Sequence, residues 1–462
     1  MIRPRLVDQS AVAWAIGALC LAILSACSTR GIVAPCDDIP PLLEAGTNIV
    51  LVPPRAPSFD AGAGSQVAEG LQLAAAASLA AYNDIKVVRL VKSPKRPAAC
   101  EPATLEYQWS GCSSFLGNPL LISNEPVFLL WANLIPDGEE ALFHFNASMW
   151  RVNANELVSL ELKGLSGRTP YRFEALVPLR QVGFQPRALS LGTIRELAAS
   201  LDVLSAPQVG ASPVSRGIRG SFRVIGITGR GNDRWLNIEL SESEVGWVSL
   251  SAAHSVRGLF PELLFLDIAV GYFEYMRSSG GDGSAIESAL ERFLSSADPK
   301  VERRAIGLAY AFAGTVELFE AARLQRRSLA DLARRHYENA LKYVPDDPEL
   351  HNLLLLATLG SCCGSFEVRK GSAERSLKSV TPMNGSLKEI LQATDLAINN
   401  FESAQTNARA TSNLAAMLRY VEEAKILHNP DLHDLVRGLE EKANKWTKAE
   451  SSVSACERKR PK

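Results

Sequence analysis

The spacing of apolar residues changes character near residue 260, and that change limits what the chain can fold into. Ahead of it, apolar residues come in short runs or alternate, as in Ile85-Lys-Val-Val-Arg-Leu-Val and Tyr171-Arg-Phe-Glu-Ala-Leu-Val. A period of two places one face of an extended strand in a core. From Phe260 onward the apolar positions recur every three to four residues, the period of a helix with one buried face. With 462 residues and 47% hydrophobic content, the chain is long enough for several cores. It is predicted to be a multidomain α+β protein, with an N-terminal α/β domain, a small β-barrel and a C-terminal all-α domain.

Asn48-Ile-Val-Leu-Val reads as a buried strand stopped by Pro53-Pro54, residues 66–82 as an alanine-rich helix, and residues 85–91 as a second strand. A crossover of that length makes the two strands parallel. Strands at 127–132 and 141–147 are joined by Pro136-Asp-Gly138, a turn sequence, and strands at 157–162 and 171–177 are expected to continue the same sheet. Residues 47–197 are therefore read as one α/β domain. Asp60-Ala-Gly-Ala-Gly-Ser65 stands where a nucleotide loop would, but it lacks the Lys-Ser/Thr pair and the third glycine, so it reads as a plain connection.

The chain opens Met-Ile-Arg-Pro-Arg and is almost purely apolar from Ala11 to Ala26. That run is short of the roughly 20 residues that span a bilayer as a helix and fits a secretory signal. Leu24-Ser25-Ala26-Cys27 resembles the lipobox of bacterial lipoproteins. The resemblance implies cleavage after residue 26, acylation of Cys27, a tether over 27–46 and an envelope location, with Ser28 favouring the outer membrane facing the periplasm. Two or more acyl chains hold a soluble body to a bilayer where one does so only marginally. Lys and Arg total 49 and Asp and Glu total 50; losing Arg3, Arg5 and Asp8 leaves 47 against 49, and no nucleic-acid surface is expected. In an oxidising compartment Cys100 and Cys112 are the most plausible disulfide pair, although Cys36, Cys362, Cys363 and Cys456 leave other connectivities open.

Residues 198–255 resemble a bacterial SH3-type domain. Leu201-Asp-Val-Leu-Ser-Ala-Pro207 stands at its start, Trp235-Leu-Asn-Ile238 near its end, and Gly246-Trp-Val248 closes it. Relatives of that family often bind cell-wall peptides or proteins, which makes Trp235 and Trp247 candidate ligand-binding residues; packing in the core is their other reading. Leu204 replaces the arginine usual in the first strand. Within 260–446, Ile306-Gly307-Leu-Ala-Tyr310-Ala-Phe-Ala-Gly314 and Ala333-x-x-x-Tyr337-x-x-Ala340-Leu341-x-x-x-Pro345 resemble the two helices of a tetratricopeptide repeat. Weaker echoes at Phe293 and Phe401 are not spaced by the family's 34 residues, so insertions are expected around 315–328 and 361–390, and a plain helical bundle is the alternative. Residues 447–462 end in Arg458-Lys-Arg-Pro-Lys462 and read as a flexible basic tail.

No metal or cofactor is implied. The six histidines form no H-E-x-x-H pattern, and no G-x-S-x-G turn or C-x-x-C pair is present. The expectation is a membrane-anchored, non-enzymatic scaffold that binds an envelope protein through its helices and barrel. The first alternative is peptidoglycan binding through the barrel. The second is a hydrolase in the α/β domain, which would need converging polar groups near 55–65 or 130–145.

Overall fold

The computed structural model describes residues 47–51, 61–79, 88–92, 126–137, 140–151, 157–164, 170–177, 182–216, 218, 223–229, 233–241, 244–277, 283–297, 302–362, 366–370, 375–382, 385–427 and 429–458. Cys27, Cys100 and Cys112 lie outside them. The protein mixes helices and sheets, with a helical region toward its C-terminus.

The first sheet has the order β2-β1-β3-β4-β7 (Val88–Lys92, Thr47–Leu51, Pro126–Asp137, Glu140–Arg151, Val182–Gly183), and β8 (Arg187–Leu189) also pairs with β4. Strands β1 and β2 are parallel, as the intervening helix α1 (Ala61–Leu79) predicts, and β3 and β4 form a long hairpin. Alternate residues of that hairpin, Phe128, Leu130, Phe143 and Phe145, are buried. Phe128 meets Phe273 of helix α4 (Leu263–Arg277) edge-on, and Phe143 meets Phe260, just ahead of that helix, in the same way. Phe184 and Phe265 extend the aromatic contacts to Phe293 on α5 (Ser284–Ser296) and Phe312 on α6 (Arg303–Leu324). The change of period at 260 is therefore crossed by a continuous core.

Helix α2 (Leu191–Ser200) leads into a five-stranded antiparallel sheet of order β10-β9-β13-β12-β11. Its strands are β9 (Asp202–Leu204), β10 (Pro213–Arg216), β11 (Arg223–Thr228), β12 (Trp235–Ser241) and β13 (Glu244–Ser249). Gly246 is needed where β13 closes on β9: a Cβ there would lie 2.3 Å from Val203 Cγ1 and 3.1 Å from the Leu204 carbonyl oxygen. Helix α3 (Leu250–Arg257) follows.

The strands at 157–176 depart from expectation. Strands β5 (Leu157–Lys163) and β6 (Tyr171–Leu176) do not continue the first sheet; they form a third one, of order β14-β15-β5-β6, with β14 (Phe366–Lys370) and β15 (Arg375–Pro382). Strand β15 lies parallel to β5, with Leu377 opposite Leu160. The region from 260 on is thus not all helical, and the insertion expected at 361–390 holds a hairpin that completes a sheet begun about 200 residues earlier.

After α6 come α7 (Arg327–Tyr343), α8 (Pro348–Cys362), α9 (Leu387–Ser403), α10 (Ala408–Glu423) and α11 (Leu432–Arg458), each packed on the next. Helix α6 is long and apolar enough to cross a membrane by composition, yet it is buried inside the protein. Its small residues explain the close approach of α7. A Cβ on Gly307 would meet Val344 Cγ2 at 2.6 Å, and one on Gly314 would sit 3.1–3.2 Å from His336, Tyr337 and the Ala333 carbonyl. The expected insertion at 315–328 is absorbed by extending α6 to Leu324, after which Gln325 turns the chain in the left-handed region, φ 54°.

Candidate functional site

Strand β6 is at the edge of the third sheet. In its pairing with β5, residues 174 and 176 direct their backbone groups away from that partner, which ordinarily leaves an open edge. Here the edge is closed by side chains of α8 and α10. Asn413 Oδ1 accepts from the Glu174 N–H at 2.8 Å, and Asn413 Nδ2 donates to the Glu174 carbonyl at 2.8 Å, so one amide satisfies both groups of one residue. Glu349 Oε2 accepts from the Leu176 N–H at 2.8 Å.

These clamping groups are themselves held from below. Asn352 Oδ1 accepts from Asn413 and Asn400, each at 2.8 Å, while Glu349 Oε1 accepts from Asn407 at 2.9 Å and Arg409 Nε at 2.8 Å. Glu349, Asn352, Asn400 and Asn413 are buried. Buried amides and a buried carboxylate are tolerated when their hydrogen bonds are made, and such networks fix geometry. At one end of the strand the Tyr171 hydroxyl donates to Glu423 Oε2 at 2.6 Å, and its ring meets Tyr420 edge-on. The arrangement satisfies the backbone of β6 in the way another strand would. The signal for it in the sequence was a polar residue set in an apolar stripe, as in His351-Asn-Leu-Leu354 and Ser412-Asn-Leu-Ala415, which sequence reasoning passed over.

The five-stranded sheet brings the two predicted tryptophans onto one face. Trp247 on β13 is directly opposite Asn237 on β12, and Trp235 is two residues along from Asn237. Trp235 is buried, Trp247 is half-buried and Val245, on the same face, is exposed. The amide oxygen of Asn237, flanked by them in register, is buried without a hydrogen-bond partner. The face therefore offers aromatic surface around one unsatisfied acceptor, a combination suited to a ligand N–H or O–H.

A third cluster lies among α4–α7. His336 Nε2 is 2.8 Å from Glu287 Oε1, and Tyr310 lies against the imidazole. Glu317 is buried with Oε2 unpartnered; burial, reinforced by Glu287 and opposed by His336, raises its pKa to about 7. The neighbouring Glu320 is tied to Tyr275 and Arg323. This group can hold a proton at neutral pH, but its donors do not converge on an ion. Among the described residues no set of three or more His, Cys, Asp or Glu side chains is placed to hold a metal.

His351 bonds the Pro345 carbonyl, and the buried side chains of 130–145 are apolar: Leu130, Ala132, Leu134, Ala141, Phe143 and Phe145. No family model, curated protein or solved structure matches this chain.

Proposed function

We propose that the protein is a membrane-anchored, non-enzymatic envelope scaffold whose helical region holds extended protein segments. One observation supports this reading most: Asn413 and Glu349 grip the backbone of β6 as they would grip a partner's strand. Strand β6 is the resident occupant, so an envelope protein engages by replacing it or by adding to the sheet that it completes. Anchoring falls to acylated Cys27, on the lipobox resemblance. The alternation of small and aromatic residues along α6 and α7, with Gly307 and Gly314 at the crossing, supports a tetratricopeptide-like arrangement. The strand order of the 202–249 sheet, in which the β9–β10 hairpin and the β11-β12-β13 meander are joined by pairing of β9 with β13, supports an SH3-like barrel.

The test is photocrosslinking in living cells from positions flanking Asn413 and Glu349. Capture of an envelope protein, lost when a peptide of sequence Tyr171–Val177 competes, is the expected result. Crosslinks that reach only the chain's own β6 under all conditions would refute the exchange. A second reading, peptidoglycan binding through the barrel, is favoured by the Trp235–Asn237–Trp247 face. Retention on purified peptidoglycan that disappears in Trp247→Ala, with the fold intact, would select it.

A further inference from the structure

The third sheet has two edges, and they are finished differently. At β6 the outward backbone groups are met by Asn413 and Glu349. The other edge is β14, Phe366-Glu-Val-Arg-Lys370, which ends the strand order; among the described residues no further strand pairs with it. Every second residue of an edge strand turns its N–H and C=O away from the sheet, where another strand can take them up. Strand β15 pairs with β14 along all five residues and helix α6 packs against it, so this edge is held in place.

The register fixes what the edge presents. One row across the four strands runs Val368, Leu377, Leu160, Phe173, and the last three are buried. The next row, on the opposite face, runs Glu367, Lys378, Glu161, Arg172; its charge alternates at every step, and Arg172 is exposed. Arg369 opens a further row on that face, with Ser376, Ser159 and Glu174. Two copies of β14 laid antiparallel about a two-fold axis join their sheets only in registers that keep both Val368 rows on one side. The registers of this kind that pair three or more residues are centred on Glu367, on Val368 or on Arg369. The first sets Glu367 against Glu367 and the last Arg369 against Arg369, like charges directly opposite, which is destabilising. The register centred on Val368 pairs the whole strand, sets Glu367 opposite Arg369 twice, and sets Val368 opposite Val368.

We infer that the protein forms a homodimer by antiparallel pairing of β14 with β14 of a second copy, centred on Val368. The charged row then runs Arg172, Glu161, Lys378, Glu367 and on to Arg369 of the second copy, with no two like charges adjacent. The buried row continues from Val368 to Val368 and Leu377 of the second copy. This self-complementarity of Phe366–Lys370 is what selects a second copy over an unrelated strand. The inference goes beyond the scaffold reading and does not rest on it, since the exchange proposed there takes place at the opposite edge of the sheet.

The test uses the full chain in detergent. Val368→Cys brings two thiols together at the axis, with Cα atoms about 4.5–5.5 Å apart and within disulfide reach, whereas Lys370→Cys leaves them about 14 Å apart. After mild oxidation, mass spectrometry should find the peptide linked 368 to 368 in the first variant and none linked 370 to 370 in the second. Sedimentation measures the dimer itself. Arg369→Glu is opposite the uncharged Ser376 in its own sheet but sets a carboxylate against Glu367 of the second copy, and should weaken the dimer about tenfold or more at unchanged helix content. Glu367→Lys should do the same, and an equimolar mixture of the two variants should recover a one-to-one dimer, because each charge then meets its opposite. A monomer at every concentration, a dimer indifferent to Arg369→Glu, or variants that fail to pair on mixing overturns the inference, as does a residue-368 link found only to a different protein. Capture from positions flanking Asn413 and Glu349 reports separately on the scaffold reading.

Discussion

Replacing Glu317 by Gln isolates the energetic consequence of the buried proton. In the folded protein this carboxyl keeps its proton up to about pH 7, whereas its ordinary value, and that of the unfolded chain, is 4.5. Between those values the folded state binds more protons than the unfolded one, so stability falls as pH rises through the window and stays low above it. A shift of this size corresponds to roughly 3 kcal/mol at 1.36 kcal/mol per pH unit. Glu287 adds to the cost of ionisation and His336 reduces it. Glutamine has the same shape and cannot ionise, and the unpartnered Oε2 makes no hydrogen bond for it to lose. Glu317→Gln should therefore match the natural protein within about 0.5 kcal/mol near pH 4 and exceed it by about 2–3 kcal/mol near pH 8. Urea midpoints measured by helix content across that range check the difference, and amide exchange in α6 and α7 locates it. A variant that is equally displaced at both pH values, or less stable at pH 8, would refute the reasoning.

Asn413→Ala removes three hydrogen bonds, two of them to the Glu174 backbone, and should cost about 2–3 kcal/mol. Its specific mark is faster amide exchange at Glu174; unchanged protection there would sink the clamp. The glycines of the helical region should respond in opposite directions in thermal melts. Gly314→Ala crowds His336, Tyr337 and the Ala333 carbonyl and should destabilise by about 1–3 kcal/mol, whereas Gly438→Ala, with nothing within 4 Å, should stabilise α11 by about 0.5–1 kcal/mol. The two tryptophans should separate likewise: Trp235→Ala should cost about 3–5 kcal/mol and Trp247→Ala, half-buried, distinctly less, so that only the second is a clean probe of ligand binding.

The elements legible in the sequence are those whose partners are close by. The hairpin of β3 and β4 announces itself through alternating Phe and Leu around Pro136-Asp-Gly138, and the α6–α7 pair through glycines facing Val344 and Tyr337. Strand β6 was equally legible as a strand, with Tyr171, Phe173 and Ala175 buried in alternation, but not its sheet. Alternation fixes which face is buried and leaves the neighbour open. That neighbour system includes Arg375-Ser-Leu-Lys-Ser-Val, a segment with few apolar residues, lodged in a stretch otherwise read as helical.

The clamp was hidden for a related reason: in a helix, a buried asparagine and an exposed one look alike until something is known to lie across from them. Asn352, Asn400 and Asn413 fall on three different helices, and only their bonds to one another, with Asn413 alone reaching β6, give them a common role. Residues 157–176 are tied to residues 348–423 twice, by the β15–β5 pairing within the sheet and by the hydrogen bonds at its edge. A partner that takes the place of β6 must therefore supply a strand with free backbone groups in the register of Glu174 and Leu176. It must also offer a hydroxyl or amide for Glu423, and its apolar residues must alternate as Tyr171, Phe173 and Ala175 do. Those requirements, more than any single binding residue, are what the proposed scaffold role demands of a partner segment.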